Sequence, residues 1–257
     1  MRAWLGLIAF LAISAGFLPP SAFSEGKVKQ FQVPIGPTAI GKLSVYFPEG
    51  YEESSDPYPV LYLLHGDSGD DQTMLGGGYP DGSLKDADAG KVVDRLVREG
   101  NSKPLIVACP AMGRDEQLLD YFVPFVDSTF RTIPKRESRA VAGHSLGGSS
   151  ALYISLSHPE AFAIAGGLSS FGLYTTLGEA KAQDLKANPV LYWLYSGRND
   201  QYEVGPPNRR FVDFLREKGL SVIFIEDDGN HESRVATRLA QLIEYISKRL
   251  KWCHVSR

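Results

Sequence analysis

Gly143-His144-Ser145-Leu146-Gly147 is the stretch that decides how this chain folds, and it has the form G-x-S-x-G. The preceding run, Arg139-Ala140-Val141-Ala142, is short and apolar, as is typical of a buried strand. Residues 148–157 carry spaced apolar side chains and no breaker, and His158-Pro159 then predicts the end of a helix. Strand, tight turn and helix together predict a serine held on a strained turn between the two elements.

The rest of the chain alternates apolar runs with amphipathic segments. Strands are predicted at residues 28–33, 42–47, 60–64, 105–108, 162–166, 190–195 and 222–225. Helices are predicted around 92–97, over 118–130 despite Pro124, between Pro207 and Gly219, and over 235–250. This alternation predicts an α/β fold with a mostly parallel central sheet, helices on both faces and no large lid domain.

The first 24 residues are organised like a secretory signal peptide. Arg2 precedes an apolar stretch over residues 3–17, and small residues, among them Ala22 and Ser24, follow Pro19-Pro20. The apolar stretch is short for a membrane span, which takes about 20 residues. We therefore expect export to the periplasm or the cell exterior, with cleavage near Ser24, no stable membrane insertion afterwards, and a single domain over residues 25–257.

Charge and cysteine content narrow the classes of partner. The formal net charge is −3 and the basic residues form no blocks, so nothing indicates binding to nucleic acid or to an anionic membrane surface. The chain has two cysteines, Cys109 and Cys253. Two separate thiols, with Cys109 buried, are the favoured interpretation, and one disulfide is the alternative.

A serine nucleophile requires a histidine base, and the histidine requires a carboxylate that holds its tautomer. Of the five histidines, His65 and His144 lie inside turn motifs, His158 ends a helix and His254 is in the tail. His231 alone follows the last predicted strand in a loop, at the sheet edge where ligands bind in parallel sheets. Position and elimination therefore favour His231 as the base.

Asp200 is the favoured carboxylate because it follows the strand predicted at 190–195. The order Ser145, Asp200, His231 is also the order of the α/β-hydrolase triad. The alternatives that remain open are Asp227, Asp228 and Glu203.

An oxyanion formed by attack on a carbonyl requires two preorganised N–H donors. The backbone amide of Leu146, directly after the nucleophile, is the first candidate. The second is the amide of Asp67, in the turn after the strand at 60–64, with Gly66 as the alternative.

The loop over residues 67–90 is acidic and has little apolar content, which predicts loose packing. Its aspartates are Asp67, Asp70, Asp71, Asp81, Asp86 and Asp88, against a single Lys85. It is either a solvated loop with no role in selection or one that overhangs Ser145 and gives the cleft a negative potential. Its spacing fits no EF-hand pattern.

Taken together, these segments resemble the esterase D-like (putative esterase) family of α/β-hydrolases, which includes feruloyl esterases, siderophore esterases, S-formylglutathione hydrolases and mycolyltransferases. The resemblance lies in Pro59-Val60-Leu61-Tyr62-Leu63-Leu64-His65-Gly66, Ala142-Gly143-His144-Ser145-Leu146-Gly147-Gly148, His158-Pro159-Glu160-Ala161-Phe162, and Asp200 with His231. It implies an α/β-hydrolase domain with Ser145, Asp200 and His231 as the triad. Many members place a tryptophan soon after the histidine, whereas Glu232-Ser233-Arg234 follow here, which is more similar to the siderophore esterases.

We therefore predict an exported serine hydrolase that cleaves a small-molecule or glycan-linked carboxylic ester through an acyl-enzyme. The chemistry requires no metal or organic cofactor. An acyltransferase with the same triad and a siderophore trilactone esterase are the alternatives within enzymes. A non-catalytic binding module is the alternative from another class, and it is disfavoured because the chain keeps a candidate for each triad position.

Overall fold

The computed structural model describes residues 25–112, 115–172 and 184–252. The predicted signal peptide and Cys253 lie outside these segments, whereas Cys109 is a buried free cysteine. An eight-stranded sheet with the order β1-β2-β4-β3-β5-β6-β7-β8 forms the centre. Its strands are β1 Lys27–Pro34, β2 Ile40–Phe47, β3 Val60–Leu64, β4 Ile106–Pro110, β5 Arg139–His144, β6 Ile164–Leu168, β7 Leu191–Gly197 and β8 Val222–Asp227.

The sheet is mostly parallel, as the alternation of elements predicts. Strand β2 pairs antiparallel with both β1 and β4, and every other neighbouring pair is parallel. The carboxyl ends of β3, β5, β7 and β8 therefore meet at one edge of the sheet, where ligand sites of such folds lie. Ser145, Asp200, His231 and Asp67 all follow these ends.

Helices cover both faces of the sheet. They are α1 Ala89–Arg98, α2 Val123–Thr129, α3 Leu146–Ser157, α4 Gly205–Glu217 and α5 Val235–Ser247. One core contains side chains of α2, α3 and α4, and the other contains those of α1 and α5. Side chains of a strand alternate between its two faces. In β3, accordingly, Tyr62 and Leu64 enter the first core, whereas Leu61 and Leu63 enter the second. Within the described segments, no helix combines the length and apolar character needed to cross a bilayer.

Two of the predicted elements illustrate how bounds differ between the prediction and the structure. The strand expected at 162–166 is β6 Ile164–Leu168, because Phe162 packs into the core before pairing with β5 begins. The helix expected over 118–130 is a π-helical turn, Leu118–Phe122, that continues into α2 Val123–Thr129. Pro124 lies in the first turn of α2, where proline is tolerated.

The expectation that loop 67–90 packs loosely is wrong. Met74, Leu84 and Ala87 are buried in the core that also contains α1 and α5. Asp71 is 1% exposed and its Oδ2 accepts a hydrogen bond of 2.7 Å from the Ser44 hydroxyl. The acidic side chains stabilise this compact path by accepting hydrogen bonds, which low apolar content alone did not indicate.

Candidate active site

Ser145 occupies a strained turn between β5 and α3. Its φ of 52° and ψ of −122° lie in a region that side chains other than glycine rarely adopt. Hydrogen bonds hold the turn from both sides. The Ser145 amide donates to the Leu168 carbonyl at 2.9 Å, and the Ser149 amide donates to the Ser145 carbonyl at 3.0 Å.

The glycines of the G-x-S-x-G motif permit close backbone contacts around this turn. A Cβ on Gly143 would lie 2.4 Å from the carbonyl carbon of Gly147. A Cβ on Gly147 would lie 2.2 Å from the carbonyl oxygen of His65. Because both obstacles are backbone atoms, neither position accepts a side chain. Gly147 thus brings the Ser145 turn directly against the turn that follows β3.

His231 and Asp200 form a buried pair at the same edge of the sheet. Nδ1 of His231 lies 2.8 Å from Oδ2 of Asp200, and the two residues are 4% and 5% exposed. Because a carboxylate can only accept, the Nδ1–H of His231 donates, and in the neutral imidazole Nε2 then carries no proton. The second oxygen of Asp200 accepts from the Tyr202 amide at 2.9 Å. The carboxylate is therefore fixed on both sides.

The other candidate carboxylates are directed elsewhere. Asp227 accepts hydrogen bonds from the Tyr195 hydroxyl at 3.0 Å and from the Gly229 amide at 2.8 Å, and it pairs with Arg238. Asp228 is exposed and lies 3.0 Å from Arg234. Glu203 is also exposed, at a positive φ of 54°. Among the described residues, Asp200 is the only one of the four whose carboxylate bonds to His231.

His144, which the sequence analysis placed only inside a turn motif, contacts the backbone of His231. Its Nε2 lies 3.2 Å from the His231 carbonyl oxygen, and its Nδ1 lies 2.9 Å from the Tyr79 hydroxyl oxygen. Burial, the first cause, and the neighbouring His231 lower the pKa of His144 to about 3. The ring is therefore neutral near pH 7. Sequence reasoning missed Tyr79, because nothing in a glycine-rich loop indicates which aromatic side chain turns inward.

The two candidate oxyanion donors lie in the turns that Gly147 brings together. The Gly66 amide already donates to the Tyr79 hydroxyl at 2.7 Å, so this alternative is occupied. Among the hydrogen bonds of the described residues, none uses the Asp67 amide. Leu146 is the first residue of α3, where an amide has no intrahelical acceptor. The amides of Asp67 and Leu146 are thus both available as donors.

Ser145 and His231 line one cavity of about 510 Å³. Its lining includes three large apolar side chains that are unusually exposed for their type, namely Leu146 (56%), Phe171 (36%) and Tyr202 (57%). The ring of Tyr202 packs edge-on against His231 with centroids 4.7 Å apart. A second cavity of about 670 Å³ adjoins the first at Asp67, Ser68 and Leu146. In the described part of the chain, no group of three or more metal-ligating side chains is suited to a metal ion.

Comparison with known proteins gives one family match and several similar chains. Residues 40–189 match the sequence model of the family described as "Putative esterase". An endo-1,4-beta-xylanase/feruloyl esterase of Xylanibacter ruminicola is 28% identical over 225 residues, which cover 78% of this chain and 29% of that protein. An esterase of Mycobacterium tuberculosis is 30% identical over 155 residues, covering 57% of this chain and 33% of that protein. The chain thus spans about a third or less of these curated relatives.

Solved structures share the fold at lower identity. A ferulic acid esterase of Anaeromyces mucronatus in complex with ferulic acid has a TM-score of 0.73 at 19% identity, covering 91% of this chain and 94% of that one. An S-formylglutathione hydrolase of Staphylococcus aureus has a TM-score of 0.65 at 18% identity, covering 87% and 98%. These likenesses and the sheet topology confirm the predicted α/β-hydrolase fold.

Proposed function

The chain belongs to the putative esterase family, and from that premise we propose that it hydrolyses carboxylic esters through an acyl-enzyme formed on Ser145. The observation that carries the proposal is the buried bond of 2.8 Å between His231 and Asp200, at a cavity that His231 shares with a serine on a strained turn. A nucleophile, an oriented base and two available amides are the parts that acyl transfer requires.

Each group has one role in the proposed reaction. Ser145 Oγ attacks the ester carbonyl carbon while Nε2 of His231 takes its proton. Asp200 keeps the proton of His231 on Nδ1 and stabilises the imidazolium that forms. The negative oxygen of the tetrahedral intermediate accepts hydrogen bonds from the Leu146 and Asp67 amides. As the intermediate collapses, the carbon–oxygen bond to the alcohol breaks and His231 returns the proton to that alcohol.

The second half repeats these steps with water. His231 takes a proton from water, whose oxygen attacks the acyl carbon bound to Ser145. Collapse of the second intermediate breaks the bond to Ser145 Oγ, releases the carboxylic acid and returns the proton to the serine. An alcohol in place of water would give acyl transfer, so the ratio of the two products distinguishes a hydrolase from an acyltransferase.

The cavity favours an ester with an aromatic or apolar group. Leu146, Phe171 and Tyr202 contribute exposed apolar surface to its lining, which also includes Ser145 and His231. An aromatic ring is held well by edge and face contacts with other aromatic rings. Feruloyl esterase, the name of one curated relative, is in keeping with this wall. We therefore propose phenolic or other apolar acyl esters of a small alcohol or a glycan as the substrate class. Glu232 directly follows His231, whereas many members of the family have a tryptophan soon after the histidine.

We also propose that the enzyme acts outside the cytoplasm. The support is the signal-like order of residues 1–24, in which a basic residue precedes an apolar stretch and small residues follow. Amino-terminal sequencing of the protein recovered from the periplasm or medium tests this. A chain that keeps Met1 and stays with the cytoplasmic fraction would contradict it.

The function itself is tested with purified protein and a panel of feruloyl, short acyl, acetyl-sugar and trilactone esters. Ester cleavage should disappear in the Ser145→Ala variant, and a fluorophosphonate should label the wild-type protein on Ser145 alone. Acid release should exceed transfer to an added alcohol. Label on another serine, or unchanged cleavage by Ser145→Ala, would overturn the proposal.

A further inference from the structure

A continuous chain of hydrogen bonds links the turn after β3 to the loop that carries His231. The Gly66 amide lies 2.7 Å from the Tyr79 hydroxyl oxygen, which lies 2.9 Å from Nδ1 of His144. Nε2 of His144 lies 3.2 Å from the His231 carbonyl oxygen. Neither the Tyr79 nor the His144 side chain has a part in the reaction proposed above. This series of hydrogen bonds nevertheless connects the turn that carries the Asp67 amide with the loop that carries His231.

The direction of every bond in this chain follows from the donors available. The Gly66 N–H can only donate and the His231 carbonyl can only accept. His144 is neutral, so it carries one proton, and that proton must lie on Nε2 to meet the carbonyl. Nδ1 then accepts, and the Tyr79 hydroxyl donates to it. Burial, the first cause, raises the pKa of Tyr79 to about 12, so the hydroxyl keeps its proton near neutral pH.

Two hydrogen bonds within its own loop hold the backbone of Tyr79, and glycine at position 66 leaves space for its hydroxyl group. Its amide donates to the Ser83 carbonyl at 2.9 Å, and its carbonyl accepts from the Gly82 amide at 2.8 Å. A Cβ on Gly66 would lie 2.4 Å from the Tyr79 hydroxyl. Glycine at position 66 therefore gives the hydroxyl room to reach the backbone. The compact packing of loop 67–90 thus has a consequence at the active site.

We propose that Tyr79 is a positioning residue, which fixes the turn bearing the Asp67 amide and, through His144, the backbone of His231. By occupying the Gly66 amide, the hydroxyl leaves the Asp67 amide as the one directed at the oxyanion. By fixing His144 in a single tautomer, it holds the His231 carbonyl, while Asp200 holds the imidazole of the same residue. This inference rests on the proposed function, because it assigns Tyr79 a part in the same reaction.

The test compares Tyr79→Phe with Tyr153→Phe, which removes the hydroxyl of a tyrosine that is 47% exposed on α3. Competent sites are first counted by titration with a fluorophosphonate, so that kcat is expressed per reactive Ser145. Tyr79→Phe should lower kcat per site between about tenfold and 100-fold, the range that small misplacements of reacting groups cause, with KM changed less than about twofold. Tyr153→Phe should match the wild type in both constants.

A double-variant cycle adds a second readout. If Tyr79 acts in part through His144, the loss of kcat per site in the Tyr79→Phe, His144→Asn double variant should be smaller than the product of the two single losses. Losses that multiply would show independent action and overturn the inference. Three other results would also overturn the inference. Tyr79→Phe could have fewer reactive sites but an unchanged kcat per site, it could change KM alone, or its kinetic constants could equal those of Tyr153→Phe. An active Ser145→Ala variant would instead reject the proposed function, whatever Tyr79→Phe does.

Discussion

Oδ2 of Asp200 lies 2.8 Å from Nδ1 of His231, and neither side chain is more than 5% exposed. In such a buried site, solvent would do little to screen the charge that His231 acquires in the proposed reaction. The pairing therefore makes Asp200 the carboxylate on which the proposed reaction depends, rather than Asp227 or Asp228.

Replacing Asp200 by asparagine should lower kcat by about 10⁴-fold. The amide would neither stabilise the imidazolium of His231 nor fix the tautomer of its neutral imidazole. The matched control is Asp228→Asn, which removes a carboxylate that is 71% exposed and pairs with Arg234. Its kcat should stay near that of the wild type. Steady-state kinetics of both variants on one ester decide the matter, and a crippled Asp228→Asn beside an active Asp200→Asn would contradict the assignment.

Asp227→Asn should reduce stability in a pH-dependent way. Burial raises the pKa of Asp227, but hydrogen bonds from Arg238, Gly229 and Tyr195 outweigh it, and the pKa is lowered overall. A lowered folded-state pKa means that the stabilisation is complete above the unfolded value of about 3.9 and is lost as the pH falls through the folded value. Near pH 7 the variant should be less stable by about 2 kcal/mol.

Denaturant unfolding of the wild type and the variant from pH 7 down to pH 3 measures this difference. The difference in unfolding free energy between the two should narrow toward the acidic end. Asp228→Asn, at the exposed neighbouring position, should show almost no gap at any pH. A gap for Asp227→Asn that persists unchanged at pH 3 would show that its carboxylate charge does not stabilise this loop.

The strained turn at Ser145 predicts a difference between two inactive variants. Ser145→Ala keeps a Cβ at φ 52° and ψ −122°, whereas Ser145→Gly removes it. Relief of strain stabilises the glycine variant, and the greater entropy of its unfolded chain offsets part of the gain. Ser145→Gly should therefore be more stable than Ser145→Ala by about 1 kcal/mol in urea unfolding. Equal stability, or a more stable alanine variant, would show that the turn stores no strain.

The turn around Ser145 could be predicted from the sequence because its causes are local. Close contacts between Gly143 and Gly147 and a strand-to-helix reversal are requirements of a few adjacent residues. The location of Ser145, Asp200 and His231 at one edge of the sheet could also be predicted, because each follows a strand and parallel strands end at a common edge. The strand topology was therefore sufficient for this prediction, and no distance between the residues had to be known.

The links between distant segments could not be predicted. The Ser44 hydroxyl bonds to Asp71, and the Tyr79 hydroxyl to His144, across long separations in sequence. No periodicity or composition specifies such a pairing, because it depends on the path of an irregular loop. The same limit explains why loop 67–90 was expected to pack loosely. Acidic composition does not show which carboxylates accept hydrogen bonds from other parts of the chain.

The carboxylates beside Ser145 indicate discrimination against anionic esters. Asp67, Asp81 and Glu232 line its cavity, and no lysine or arginine lines it within the described segments. Hydrogen bonds from the Ser83 amide and hydroxyl lower the pKa of Asp81, so it stays charged. Asp70 and Asp71 are different, because they accept hydrogen bonds inside the loop and do not line the cavity. The negative potential at the nucleophile is therefore assigned to the three lining carboxylates.

An ester with a free carboxylate should accordingly have a lower kcat/KM than a neutral ester of matched size at low salt, and rising ionic strength should narrow the difference. Asp67→Asn combined with Glu232→Gln should narrow it too, since asparagine keeps the backbone amide on which the oxyanion relies. The control variant combines Asp213→Asn with Glu217→Gln on helix α4, away from the cavity, and removes the same number of negative charges. It should leave the ratio of kcat/KM for the two esters unchanged. Equal kcat/KM for the two esters at low salt, or an equal effect of both double variants, would contradict a local field at Ser145.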